Sequence, residues 1–124
     1  MSRIDILNQF GLKPKYASEE EKVKAVKEDG NSIEYIQNPS EALQLEAVKQ
    51  NGYFIQYIHN PSEAVQLEAV KQDGNHIQYI HNPSEAVQLE AIKTLTYNYV
   101  DLITNEKALL EFCKRIVVEQ VLNV

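Results

Sequence analysis

The sequence predicts an all-α protein, more closely an α-solenoid of four 22-residue helical-hairpin repeats with an N-terminal and a C-terminal helical cap. The prediction rests on a fixed spacing. Prolines and glycines recur every 22 residues at two phases of the repeat: Pro39, Pro61, Pro83 and Gly30, Gly52, Gly74. Such a period is typical of stacked repeats, in which each unit buries its apolar side only against its neighbours.

The whole chain, residues 1–124, is predicted to be a single domain. Its predicted parts are an N-terminal cap, four repeats and a C-terminal capping helix, in that order: residues 1–16, 17–38, 39–60, 61–82, 83–104 and 105–124. The first repeat is degenerate, because Glu20 and Glu21 stand where later copies carry apolar residues. A polar outer side is expected of a terminal repeat.

Both ends are predicted to be helical covers for the repeats. Ile4, Leu7 and Phe10 share an i, i+3 spacing in a short helix over Ile4–Phe10 that Gly11 ends, and we expect them to cover the first repeat. A final helix is expected over Glu106–Leu122, capped by Thr104-Asn105. Its broad apolar side is expected to cover the last repeat: Leu109, Leu110, Phe112, Cys113, Ile116 and Val117.

Each inner repeat opens with Asn-Pro-Ser-Glu before an apolar run. This order predicts a helix with Asn38 or Asn60 as its N-cap and proline at the first helical position. The helix is expected to stop at Gly52 or Gly74, in the left-handed conformation that glycine adopts after a helix.

Two apolar seams on this helix predict burial on both of its flanks. Leu43 and Ala47 form one seam, and Leu45 and Val48 form the other. Glutamines lie between the seams at equivalent positions: Gln44, Gln66 and Gln88. An unpaired buried amide costs about 1–3 kcal/mol, so we expect these amides to bond backbone carbonyls or one another.

A short second element follows each repeat glycine, over residues 53–58 and 75–80. Its Ile-x-Tyr alternation fits a strand, whereas its Ile-x-x-Ile spacing fits a short helix. We predict a helix, because the long helix leaves too few residues for a parallel-strand repeat. In the fourth repeat Thr96 replaces the glycine, so the preceding helix is expected to extend through residues 94–97.

The repeat also carries a family resemblance. Glu-Ala-Val-Lys-Gln-Asp-Gly followed by Ile-Gln-Tyr-Ile, at residues 68–80 with copies at 46–58 and 24–36, resembles a family of short helical repeats found in bacterial and phage proteins and catalogued as a domain of unknown function. The resemblance covers residues 17–93. It implies all-helical repeats without established catalysis, and it transfers no functional residue. It also implies a setting in which phage-encoded antagonists of bacterial defence proteins occur.

Composition narrows the function classes. The net charge of −6 argues against binding to a DNA or RNA backbone, which needs clustered lysine and arginine. The acidic residues alternate with lysines, as on a solvated helix face. The chain has one cysteine, no apolar stretch typical of a signal peptide and no run long enough for a membrane span. We therefore expect a cytoplasmic protein.

No residue pattern points to catalysis. His59 and His81 are one repeat apart, too far to share a zinc ion, and His76 has no completing ligands nearby in sequence. Cys113 is expected to be a buried, inert thiol. Glutamates that recur in every copy indicate scaffold, since an active site is normally singular. We predict no catalytic residues, no metal and no cofactor.

Two sets of residues are candidates for binding. The Tyr/His ladder, one tyrosine per repeat with flanking histidines, is either a binding surface or packing between short helices: Tyr35, Tyr57, Tyr79, His59 and His81. Val118 and Leu122 form an i, i+4 apolar pair on the last helix and are candidates for an oligomer contact.

Three functional hypotheses follow. The first is a non-enzymatic module that binds a protein partner, in the setting of defence antagonism that the resemblance implies. The second is a small-ligand binder, such as a sequestering protein for nucleotide signals, in which the Tyr/His ladder stacks on bases near Lys49 and Lys71. The third is a purely structural homo-oligomer joined through the C-terminal helix.

Overall fold

The computed structural model describes residues 3–12, 15–16 and 18–123. All regular elements among them are helices, so the predicted all-α class is confirmed. The α-helices in this part of the chain are α1 Arg3–Gln9, α2 Glu19–Glu28, α3 Glu41–Gln50, α4 Glu63–Gln72, α5 Glu85–Ala91 and α6 Glu106–Leu122. The 3-10 helices are η1 Gly30–Tyr35, η2 Gly52–Tyr57, η3 Gly74–Tyr79 and η4 Tyr97–Leu102. The short second element is therefore helical, as predicted, in the tighter 3-10 form.

The units lie side by side in chain order. Helices α2 to α5 each pack against the next α-helix, η1 to η4 do the same among themselves, and α6 packs on α5. The core between these two rows repeats with the sequence. Its buried aliphatic side chains recur at five positions of the unit: Val26, Val48, Val70, Ile92; Ile33, Ile55, Ile77; Ile36, Ile58, Ile80; Leu43, Val65, Val87; and Ala47, Ala69, Ala91.

Each inner α-helix begins two residues later than the sequence suggests. Ser40, Ser62 and Ser84 are the N-caps, and each hydroxyl accepts the backbone N–H three residues ahead at 3.2–3.4 Å. Asn38 and Asn60 lie instead in the left-handed region, at φ of 49° and 51°. Asparagine tolerates this conformation better than most residues, so it turns the chain before the proline. The prediction of asparagine caps with proline at the first helical position is wrong.

The repeat glycines serve close approach rather than a left-handed turn. Gly30, Gly52 and Gly74 are buried, and none of them has a positive φ. A Cβ on Gly74 would lie 2.0 Å from the carbonyl oxygen of Ala91, so the next unit packs directly on the glycine backbone. The predicted left-handed stop is wrong at these positions. It is correct at Gly11, where φ is 67° just after α1.

A glutamine side chain bonds two of the repeat glycines, Gly30 and Gly52, to the next unit. The amide oxygen Oε1 of Gln72 accepts the N–H of Gly52 at 2.7 Å, and its Nε2 donates to the carbonyl of Val48 at 2.5 Å. Gln50 makes the same two bonds to the preceding unit, at 2.7 and 2.6 Å. We call this pair of bonds the glutamine clip. It satisfies two backbone groups that the change from α-helix to 3-10 helix leaves without a helical partner.

The clip changes chemistry at the C-terminal end. Thr94 stands at the clip position of α5, and its hydroxyl accepts the N–H of Gly74 at 2.7 Å. Arg115 on α6 donates to the carbonyls of Ile92 and Leu95. Ile92 is the counterpart of Val48, so an arginine holds α6 in place where glutamines hold the inner helices.

The glutamines between the two seams bond inside their own unit. Gln44, Gln66 and Gln88 each donate to the carbonyl of the proline five residues earlier, at 2.9–3.0 Å. Backbone carbonyls are therefore their partners, one of the two arrangements expected. The Oε1 of Gln88 also accepts the N–H groups of Thr104 and Asn105, at 2.8 and 2.9 Å, and so positions the start of α6.

The ends of the chain depart from the predicted covers. Helix α5 ends at Ala91 and a turn follows, so the predicted extension through residues 94–97 is wrong. The chain turns there because Leu95 is fully buried.

At the N-terminus Phe10 is 72% exposed and covers nothing, contrary to expectation. Helix α1 instead contacts η1 through Asn8, whose Nδ2 donates to the hydroxyl of Tyr35 at 3.1 Å. The side chain of Ile4 lies outside the described residues.

Helix α6 buries a narrower side than predicted. Ala108 and Phe112 are buried and Ile116 is partly buried. The other four residues expected on this side are exposed: Leu109, Leu110, Cys113 and Val117. The reason is the position of the helix N-cap, Asn105, which sets a rotation that brings Arg115 rather than Cys113 towards α5.

Loss of one clip should destabilise the chain. In Gln72→Ala the buried Gly52 N–H and the Val48 carbonyl lose their partner, so we expect the free energy of unfolding to fall by about 1–3 kcal/mol. Urea denaturation followed by circular dichroism measures the change. The exposed Gln56→Ala in η2 is the control, expected to cost under about 0.5 kcal/mol. Equal effects of the two variants would contradict the role of the clip.

The glycines should differ in their tolerance of alanine. The Cβ of Gly74→Ala meets backbone atoms of Ala91 and Leu95, which cannot move without shifting α5. The Cβ of Gly30→Ala meets the ends of the Gln50 and Phe54 side chains, at 2.8 and 2.9 Å. We expect the free energy of unfolding to fall by about 3 kcal/mol in Gly74→Ala and by about 1 kcal/mol in Gly30→Ala. Thermal unfolding of both variants measures the two losses. A larger loss in Gly30→Ala than in Gly74→Ala would refute the explanation.

Candidate functional site

The tyrosines of the Tyr/His ladder close the first three 3-10 helices. Tyr35, Tyr57 and Tyr79 are the last residues of η1, η2 and η3. All three are half-buried, and Tyr57 and Tyr79 pack against the aliphatic core. The rings therefore contribute to packing between neighbouring units while part of each ring reaches the surface.

Tyr53 joins two of these rings into a cluster. Its ring centroid lies 6.3 Å from that of Tyr57 and 5.4 Å from that of Tyr79, edge-on in both cases, with interplanar angles of 86°. Edge-to-face pairs at this spacing are favourable. Tyr53 is itself 40% exposed. We call Tyr53, Tyr57 and Tyr79 the tyrosine cluster.

Sequence reasoning missed Tyr53, although a signal for it exists. The four copies of this position are Asn31, Tyr53, Asn75 and Tyr97, so the position varies between repeats. Such variation marks a residue type that the scaffold itself does not require.

Two further rings support the cluster from the side of the core. The ring centroid of Phe54 lies 6.4 Å from that of Tyr57, and the centroid of His76 lies 6.3 Å from that of Tyr79. The two rings of each pair are tilted relative to each other. The Nδ1 of His76 is 2.9 Å from the carbonyl oxygen of Ala69, which requires a proton on that nitrogen. This bond fixes the imidazole as a packing residue beneath Tyr79.

The two histidines of the Tyr/His ladder are exposed. His59 and His81 each follow the isoleucine C-cap of a 3-10 helix, at the start of the linker to the next α-helix. They offer imidazoles to solvent, where the ladder tyrosines offer only part of a ring. The ladder therefore consists of half-buried rings flanked by exposed histidines.

The environment of Tyr57 keeps its phenol protonated. Burial raises the pKa of Tyr57 above its ordinary value of 10.0, and the negative charges that Tyr53 and Glu34 can carry raise it further. The hydroxyl is therefore a hydrogen-bond donor at neutral and moderately alkaline pH. A partly wet donor next to exposed aromatic surface suits recognition of a polar group on a partner.

A separate cleft lies beside the first ladder tyrosine. It has a volume of about 660 Å³ and is lined by side chains of mixed charge and two aromatic rings: Lys15, Tyr16, Lys22, Glu34, Tyr35, Ile36 and Gln37. Lys22 also forms a 3.8 Å ion pair with Glu19. The cleft is large enough for a small ligand, and its two lysines suit an anionic group.

The described residues contain no group of three or more histidine, cysteine, aspartate and glutamate side chains that could hold a metal ion. Cys113, expected to be buried, is exposed on α6, so that expectation is wrong. It lies on the side of the helix that faces away from α5. None of the helices within residues 3–12, 15–16 and 18–123 is long and apolar enough to cross a membrane.

The second candidate surface lies at the end of α6. Val118 and Leu122 are 55% and 76% exposed. They are not isolated, because Val117 and Val121 beside them are exposed as well. The last turns of α6 therefore carry four exposed aliphatic side chains.

Comparisons with protein-family models, with characterised proteins and with solved structures find no match to this chain. The resemblance to a family of short helical repeats stays a prediction. The functional inference rests on the geometry of the two surfaces described above.

The raised pKa of Tyr57 predicts a pH dependence of stability. In the unfolded chain this phenol ionises near its ordinary pKa, whereas in the folded chain it stays protonated to higher pH. Its contribution is therefore complete below pH of about 10 and is lost as pH rises through the folded-state pKa. Above pH 10, wild type should lose stability more steeply than Tyr57→Phe, measured by urea denaturation between pH 8 and 11. Parallel curves would show that Tyr57 makes no such contribution.

Proposed function

We propose that the chain is an α-solenoid of four 22-residue repeats with a helical segment at each end, and that it is a non-enzymatic module that binds a protein partner. Two facts support the solenoid. The packed helix pairs are neighbours along the chain, and the glutamine clip recurs with the period of the sequence. Contacts limited to adjacent units are the defining property of such folds.

The tyrosine cluster is the observation that favours protein binding. Tyrosine rings supply large, flat contact area with little conformational freedom to lose, and they are enriched in protein interfaces. Here Tyr53 presents its ring on two half-buried neighbours, and the exposed His59 and His81 extend the same row of short helices. The surface is held in advance of binding, because the glutamine clips fix η1 and η2 to the units that follow.

The charge of the chain favours a protein over a nucleic acid as the partner. The net charge is −6, and ion pairs within α2 and α6 join lysines or arginine to neighbouring glutamates. A nucleic-acid backbone would need an uncompensated basic surface. The family resemblance points to bacteria as the source of the partner, with a host defence protein as the class we propose to search first. A cytoplasmic location is part of this proposal.

A small-ligand function is the second candidate, and the cleft beside Tyr35 is the observation that favours it. Tyr16 and Tyr35 offer ring faces, and Lys15 and Lys22 offer cationic groups for a phosphate. This arrangement suits a nucleotide better than the tyrosine cluster does, because Tyr57 and Tyr79 are committed to packing. Thermal unfolding with a panel of cyclic and linear nucleotides tests it, with Lys22→Ala as the variant.

The protein-binding proposal makes a residue-level prediction. A tagged copy is used to isolate partners from bacterial lysate, and each purified partner is then titrated by calorimetry. We expect Tyr53→Ala to weaken binding by about tenfold or more, since aromatic residues at the centre of an interface often contribute over 1 kcal/mol. Tyr97→Ala is the matched control, because Tyr97 occupies the same position of the repeat two units later and is 68% exposed.

The control distinguishes binding at a specific site from nonspecific association. Tyr97→Ala should leave the dissociation constant within about twofold of wild type. Equal weakening by both variants, or by neither, would place the binding surface elsewhere. A nucleotide-dependent thermal shift without any purified partner that binds would favour the second candidate instead.

A further inference from the structure

The solvent-facing side of the 3-10 helices places Tyr53 beside carboxylates. In a 3-10 helix, side chains three residues apart lie on the same face. The second and fifth residues of each short helix therefore share a face. The second residue of η2 is Tyr53, and the fifth residues of η1 to η4 are all exposed: Glu34, Gln56, Gln78 and Asp101. The row of short helices thus begins and ends with a carboxylate on the face that presents Tyr53.

This row carries acidic charge without basic charge. Four stretches hold the short helices with their caps and linkers: residues 29–40, 51–62, 73–84 and 96–105. They contain four carboxylates and neither lysine nor arginine. Asp29 and Asp73 are the N-caps of η1 and η3, whereas Glu34 and Asp101 lie on the exposed face. From residue 18 onwards, the lysines and the arginine lie on the α-helices or in the turn after α5, so charge is mixed there and of one sign on the row.

The negative charge of Glu34 reaches the tyrosine cluster. Burial, the nearby Tyr53 and the carboxylate of Glu34 together raise the pKa of Tyr57, so Glu34 acts across the boundary between η1 and η2. Among the residues that the structure describes, neither Glu34 nor Asp101 has a cation within 4.0 Å. Lys15 and Lys22 line the cleft that Glu34 also lines, and Lys22 is paired with Glu19. Neutral aromatic rings beside carboxylates attract a cation through both the ring faces and the charge.

We propose that the protein partner presents a basic segment whose arginine side chains stack on the tyrosine cluster and pair with Glu34 and Asp101. This inference rests on the proposed protein-binding function and names the chemistry of the partner. The guanidinium group is planar and weakly hydrated, so it stacks on tyrosine faces and pairs with carboxylates better than the lysine ammonium does. An acidic segment would meet charge of its own sign along the whole row.

The length of the row sets the length of the segment. Packed helices lie about 8–10 Å apart, so the row from η1 to η4 extends over about 24–30 Å. An extended chain rises about 3.3 Å per residue, so about nine residues cover the distance from Glu34 to Asp101. Arginines near both ends of such a segment reach the two carboxylates, and arginines between them reach the rings.

Peptide titration tests the charge and the type of side chain. The probes are fluorescent peptides of about nine residues in which every second residue is arginine, lysine or glutamate and the others are alanine or glycine. Fluorescence anisotropy measures their dissociation constants at low and at physiological salt. We expect the arginine peptide to bind more tightly than the lysine peptide and the glutamate peptide not to bind. The affinity of the arginine peptide should fall as salt rises.

Two matched charge variants locate the binding surface. Glu34→Gln combined with Asp101→Asn should weaken binding of the arginine peptide by about fivefold, since two exposed ion pairs are lost. Glutamine already occupies the position of Glu34 in η2 and η3, so the fold tolerates it. The control is Glu20→Gln combined with Glu28→Gln, which removes the same charge from exposed residues of α2. It should leave the dissociation constant within about 1.5-fold of wild type.

Two variants of Tyr53 separate stacking from simple attraction of charge. Tyr53→Ala should weaken the arginine peptide by about fivefold and abolish its advantage over the lysine peptide, because the ring face is lost. Tyr53→Phe keeps the ring and should bind within about twofold of wild type. Circular dichroism verifies that each variant folds.

Each outcome bears on the proposal. Preferred binding of the arginine peptide that is weakened in the row variant and retained in the α2 variant supports it. Absence of binding overturns it, and so does equal weakening by both charge variants, which indicates only attraction to an acidic chain. A purified partner that depends on Tyr53 but on neither salt nor the row carboxylates overturns the basic segment and leaves protein binding intact. Partners that are all insensitive to Tyr53→Ala refute protein binding at this surface itself.

Discussion

The close contact between a glycine and the following unit is the constraint on which the rest of the structure depends. Because Gly52 and Gly74 have no side chain, the next unit can approach until a backbone carbonyl or an imidazole occupies the space that a Cβ would fill. At that distance the glutamine clip reaches both the glycine N–H and a carbonyl of the previous helix. The change from α-helix to 3-10 helix would otherwise leave those groups buried and unpaired. One contact in each unit therefore sets the distance between neighbouring units, their register and the hydrogen bonding of the buried backbone groups.

The repeat period, the helical class and the location of the core follow from the sequence because each is a property of composition and spacing. The local chemistry at the unit boundary does not. Asn38 and Ser40 are both common N-caps, and only the left-handed conformation of Asn38 decides between them. The repeat glycines carry the same ambiguity, since a helix stop and a close contact both select glycine. Such choices depend on the neighbouring unit, which a local pattern does not contain.

The candidate surfaces were predictable to different degrees. Tyr57 and Tyr79 are recognisable because they recur in successive repeats, but Tyr53, which connects their rings, lies at a position that varies between asparagine and tyrosine and was passed over. On α6 the composition indicates an apolar helix, whereas its rotation depends on Asn105 and on the bonds of Arg115. A helix with apolar residues on two sides does not specify which side faces its own chain. That is why Cys113 was assigned to the interior and lies on the surface.

The bonds that hold one unit to the next are made by residues that every inner repeat carries. Residues 39–60 and 61–82 differ at few positions, and each brings its own serine cap, its own clip glutamine and its own glycine. A copy inserted or removed in phase leaves both junctions chemically identical. The number of units can therefore change without new kinds of contact at the junctions. Thr94 and Arg115 make different bonds from the clip glutamines, and they end the series of identical junctions.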